Sequence, residues 1–127
     1  MPQFLLLVYN DGTLMDELPA PEFATMMRGC LEHADELTEQ GKLLGFQQLE
    51  EPRTARSVRI RGGKTSILDG PFAEAKEMLG GFNLVEAEDI EEAVRMAEQL
   101  PWARTGCIEV RPVKDIGAVR RQVGMEA

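Results

Sequence analysis

The sequence predicts a single α+β domain in which an antiparallel sheet carries two helices on one face. Three observations lead to it. Phe4-Leu5-Leu6-Leu7-Val8-Tyr9 is continuously apolar and ends at Asn10-Asp11-Gly12, the pattern of a strand buried on both faces and closed by a turn. Between Pro21 and Gln40 the apolar residues Phe23, Met26, Met27, Cys30, Leu31, Ala34 and Leu37 recur at three- and four-residue spacing, which describes an amphipathic helix stopped by Gly41. From Gly80 onward the chain reads strand, helix, strand.

The elements follow in order. Leu43 to Leu49 forms the second strand, which Pro52 prevents from continuing. Ser57 to Arg61 alternates polar with apolar residues, Gly62-Gly63 supplies a two-residue turn, and Lys64 to Leu68 returns as a hairpin. Gly80 to Glu86 is a strand, and Asp89 to Leu100 a helix with Ile90, Ala93, Val94 and Ala97 on one side. Gly106 to Val113 is the last strand, and residues 115–127 form a tail. The order βα, β, hairpin, βαβ is that of a ferredoxin-like split βαβ sandwich with an added hairpin.

A chain of 127 residues with 43% apolar and 28% charged residues is one domain, able to fold without metal or disulfide. Cys30 and Cys107 lie in apolar stretches and are expected to be buried thiols rather than a bridge. One histidine and no close cysteine pair cannot assemble the usual structural zinc set. A net charge of −8 opposes nucleic acid, and the apolar run at Phe4 to Tyr9 is too short to span a membrane. With no basic leader in view, a cytoplasmic protein is expected.

Two helices cover only one face of a sheet, yet the first strand is apolar on both. A second copy packed sheet to sheet would cover the other face with two-fold symmetry. The competing solution is the segment from Asp11 to Ala20 folded across it.

The stretch Asp69-Gly70-Pro71-Phe72-Ala73-Glu74-Ala75-Lys76-Glu77-Met78-Leu79-Gly80-Gly81-Phe82 is dense in residues with special backbone roles. With the opening strand, Gly41-Lys42-Leu43-Leu44 and the closing Glu109-Val110-Arg111-Pro112, it resembles the YCII-related proteins of the DGPF type over nearly the whole chain. The resemblance implies a bacterial protein with a ferredoxin-like fold in a dimeric α/β barrel. It also implies no metal or organic cofactor, and a functional link to extracytoplasmic-function sigma factors.

Read from its residues, the same stretch is either a corner or a site. As a corner, Asp69 accepts backbone N–H groups in an Asx-turn, Pro71 fixes the backbone, Phe72 anchors the loop in the core, and Gly80-Gly81 permits close approach or a bulge. As a site, Asp69, Glu74 and Lys76 come together, with Asp69 held ionised by Lys76. His33 sits at the rim of the first helix's apolar face. It is either a surface histidine or, paired with Asp69, an acid/base dyad of the kind proposed for the wider YCII-like group.

Asn83, Glu109 and Arg111 occupy polar positions on strands expected either side of the first, with Tyr9 nearby, and would share the partner-facing side if the register permits. Arg53, Arg56, Arg59, Arg61 and Lys64 form a basic cluster that is either an anion site or a solvated face. Three functions stay open. One is cofactor-free lyase- or isomerase-like proton chemistry on a small polar ligand in a polar cleft at the dimer. Another is a ligand-binding or regulatory module with an apolar cleft. The last is an interaction protein with no cleft.

Overall fold

The computed structural model describes residues 1–125. Its strands are β1 (Gln3–Asp11), β2 (Leu43–Gln48), β3 (Arg56–Arg61), β4 (Lys64–Asp69), β5 (Glu77–Glu86) and β6 (Gly106–Pro112). Its helices are α1 (Gly12–Asp16), α2 (Ala20–Glu39), α3 (Ile90–Glu98) and α4 (Ile116–Gln122). Four strands make an antiparallel sheet in the order β2-β5-β1-β6, the order of a ferredoxin-like fold, and β3 with β4 forms a separate hairpin.

The long helix is bounded by local chemistry. Pro21 sits in its first turn, where a missing N–H costs nothing. At its end Gly41 takes a φ of 73°, and the N–H groups of Gly41 and Lys42 donate to the carbonyls of Thr38 and Leu37, a Schellman closure. The helix α3 starts on Asp89, whose carboxylate accepts from the Glu92 N–H at 2.9 Å while Glu92 accepts from the Glu88 N–H.

Alternation along β1 sorts its residues. Phe4, Leu6 and Val8 are buried against the helices with Ala34, Val85, Ala93, Ala97 and Trp102, whereas Leu5, Leu7 and Tyr9 point to the other face and stay half-buried. The Asp11 to Ala20 segment does not cover that outer face. It forms α1 on the helix side, where Met15 packs against the core.

Several expectations needed correction. The strand β5 begins at Glu77, three residues before the expected Gly80, and part of the segment expected as a tail is the helix α4. Phe72 does not anchor the loop, being 72% exposed with the Arg59 guanidinium 6.0 Å from its ring centre. Cys107 is exposed on β6, and both thiols are free. No helix among the described residues is long and apolar enough to cross a membrane.

Candidate functional site

Helix α2 leans over the sheet without closing on it at the β2–β5 end. A cleft of about 640 Å³ opens there, within the range of small-molecule sites. Two local features make the space. Val8 pairs with Gly81 and Tyr9 with Leu79, so Gly80 is an extra residue in β5, the bulge anticipated for Gly80-Gly81. A side chain at Gly80 would collide with the Asn10 carboxamide, so this glycine lets Asn10 lie against β5.

The cleft wall is apolar and aromatic, with Phe23, Met27 and Cys30 from α2, Phe46 from β2, and Trp102 beside Phe23 at a ring separation of 5.8 Å. Its polar side chains short of the rim are neutral carboxamides: Asn10 on β1, Asn83 on β5 and Gln48 on β2, whereas Gln47, paired with Phe82, turns its side chain to the outer face. The Gln48 amide donates only to the Met27 sulfur, at 3.2 Å, a weak acceptor. The Oδ1 of Asn10 is shielded from solvent and has no hydrogen-bond partner among the described residues. The charged lining residues Asp16, Glu51 and Arg53 are exposed and stand at the rim.

Of the candidate site residues read from the sequence, Asn83 lines this cleft and Arg53 of the basic cluster stands at its rim, whereas Tyr9, His33, Asp69, Glu74, Lys76, Glu109 and Arg111 do not line it. Leu6 pairs with both Asn83 and Val110, which puts Asn83 on the helix side, one residue out of phase with Glu109 and Arg111. The register therefore does not give the three a common face. Tyr9, Glu109 and Arg111 do share the outer face. There the Tyr9 hydroxyl donates to Glu109 at 3.4 Å, and an Arg111 nitrogen lies 4.0 Å from the same carboxylate. Burial first, and the Glu109 charge second, raise the Tyr9 phenol above its ordinary pKa.

Asp69 and His33 stand apart. Asp69 ends the hairpin with its side chain 90% exposed and pairs with Arg56 at 3.2 Å; among the described residues no backbone N–H donates to it, so the expected Asx-turn is not formed there. His33 lies in a second, smaller depression with Glu36 of α2, Glu92 and Arg95 of α3, and Lys42 from the connection after α2. Its Nδ1 is 3.9 Å from Glu36, and its buried Nε2 has no hydrogen-bond partner among the described residues. No hydrogen bond or ion pair joins His33 to Asp69 among the described residues. Glu74 is exposed, and Lys76 reaches Asp11 at 3.5 Å rather than Asp69.

Asp11 and Asn10 were missed by sequence reasoning, which read both as a turn. Asp11 is the buried carboxylate of this region, its Oδ1 accepting from the N–H groups of Thr13 and Leu14 to cap α1. For Asn10 a signal was present: the period of two that buries Phe4, Leu6 and Val8 carries on to it, and a polar residue at a core-facing position marks a lining.

Comparison with known proteins identifies the family. The model of the YCII-related domain matches residues 2–117. An uncharacterised protein of Rhizobium meliloti (strain 1021) is 35% identical over 112 residues, covering 87% of this chain and 90% of that protein.

Proposed function

We propose that this chain, which belongs to the YCII-related domain family, is a homodimeric ligand-binding module whose small molecule sits in the cleft between the sheet and α2. The observation that carries the reading is the composition of that cleft: apolar and aromatic walls, neutral carboxamides, and no ionised side chain except at the rim. An acid/base enzyme needs a titratable group within hydrogen-bond reach of the reacting atom. The carboxylate and imidazole considered for that role, Asp69 and His33, do not line the cleft. The outer face, with Leu5, Leu7, Phe82 and Leu84 half-buried, supports the dimer.

The test is occupancy. Cys30 lines the cleft from α2, so Cys30→Phe fills space while keeping the wall apolar. A thermal-shift screen of uncharged and charged small molecules should yield stabilising compounds for the native chain that no longer stabilise Cys30→Phe. Compounds that stabilise both proteins equally bind elsewhere, and that result sinks the cleft as the site.

A further inference from the structure

This inference rests on the cleft being a binding site and names the class of molecule it takes. We propose that the cleft holds a neutral, planar aromatic or conjugated molecule bearing a hydrogen-bond donor, with the donor meeting Asn10 and the ring lying among Phe23, Phe46 and Trp102.

Each part of that description comes from a different wall. An ionised ligand would leave water for a space with no opposite charge inside it, and burying an unpaired charge is strongly unfavourable. The exposed Asp16, Glu51 and Arg53 cannot compensate from the rim. Flatness follows from Phe23 and Trp102, which sit 5.8 Å apart and tilted by 42°, together with Phe46 and the Met27 thioether, a group that packs well against ring edges.

The donor follows from Asn10. Its Oδ1 is a buried acceptor without a partner, a state that natural chains rarely keep unless something outside the chain completes it. In the structure this oxygen is shielded and the amide nitrogen lies toward Gly80, so the proposed contact requires the ligand to turn the carboxamide about its Cβ–Cγ bond and bring the oxygen to its O–H or N–H. The sulfur-bound amide of Gln48 and the side chain of Asn83 are then left to serve acceptors on the same molecule.

Side-chain amide and indole resonances of the full ¹⁵N-labelled chain test the proposal, because Trp102 is the sole tryptophan and lies in the wall. Four probes of one shape separate the terms: p-cresol, p-methylanisole, p-toluate and p-methylbenzylamine. The expected result is that p-cresol shifts Trp102 and Asn10 and binds at least about tenfold tighter than the other three, the ratio set by one hydrogen bond of about 1.4 kcal/mol. Asn10→Leu, or Asn10→Ala if leucine is too large beside Gly80, should bring p-cresol level with p-methylanisole.

Either charged probe binding as tightly as p-cresol overturns the ligand class and leaves the cleft reading standing. An undiminished p-cresol preference in the Asn10 variants overturns the assignment of Asn10. If none of the four moves Trp102, the ligand class is overturned, and the cleft reading falls with it only if the compounds found in the thermal-shift screen also stabilise Cys30→Phe equally.

Discussion

Asp11 and Asp69 are carboxylates at strand ends with opposite fates. Asp11 is buried because its oxygens are occupied, one by the first N–H groups of α1 and the other by Lys76, so desolvation is compensated. Among the described residues Asp69 pairs with Arg56, which is also exposed, a pairing that contributes little to stability. Tyr9, the sole tyrosine, offers a direct reading of the outer face. Its phenol is raised by burial and then by Glu109, so the folded pKa lies above the unfolded value of 10.0. The sign follows from linkage: the contribution is intact below the unfolded pKa and is lost as pH rises through the folded one. Tyrosinate absorbance in the native chain should therefore reach its midpoint above that value. Glu109→Gln should lower the midpoint without restoring the ordinary one, because burial remains. A native midpoint at or below the ordinary phenol value would show that burial and Glu109 do not prevail over the lowering influence of the nearby Arg111 charge.

At the scale of elements, close backbone approach dictates residue choice most sharply at Gly106. It pairs with Asn10 at the start of β6, and a Cβ there would overlap the backbone carbonyl oxygen of Tyr9. Since backbone cannot swing aside as a side-chain tip can, Gly106→Ala should destabilise the fold by about 1–3 kcal/mol, read as a lower urea midpoint. At Gly80 the obstacle is the end of the Asn10 side chain, so the corresponding alanine should be milder. Elements with a sustained period were legible from sequence: β1 by its apolar run, α2 by its spacing, the hairpin by Gly62-Gly63 at φ of 58° and 76°. The helices α1 and α4 were not, because five and seven residues are too few to establish a helical period. The start of β5 was hidden because Glu77-Met78-Leu79 follows Glu74-Ala75-Lys76, a composition that favours a helix. Asn83 was put on the wrong face because facing depends on the pairing of β5 with β1, which strand composition does not state.

The cleft is a property of the whole molecule, made by residues from β1, β2, β5, α2 and the turn at Trp102. No single stretch of sequence announces it. The outer face was more legible, since an apolar run longer than one buried face requires implies a second cover. With Asp11 to Ala20 on the helix side, Leu5, Leu7, Phe82 and Leu84 have none among the described residues. The hairpin adds Val58 and Ile60 on β3, more than 60% exposed, with Ile67 opposite Val58. Its basic residues Arg56, Arg59, Arg61 and Lys64 belong to a chain with 22 acidic and 14 basic side chains, so in the proposed dimer the hairpin would complement acidic surface on the other copy. A dimer built on the outer faces should have twice the 14.1 kDa chain mass in light scattering. Leu7→Lys, which puts a charge at the centre of that face, should raise the dissociation constant by about tenfold for every 1.4 kcal/mol lost, while folding survives because position 7 is already half-exposed. Replacing Val58 and Ile60 by threonine keeps the hairpin's β-propensity and removes its apolar tip. If the hairpin grips the second copy, this variant also weakens the dimer, and added salt weakens the native dimer more than the variant lacking Arg59 and Arg61. A native chain that scatters as a monomer, or a dimer indifferent to Leu7→Lys, would show that the outer sheet face is not where two copies meet.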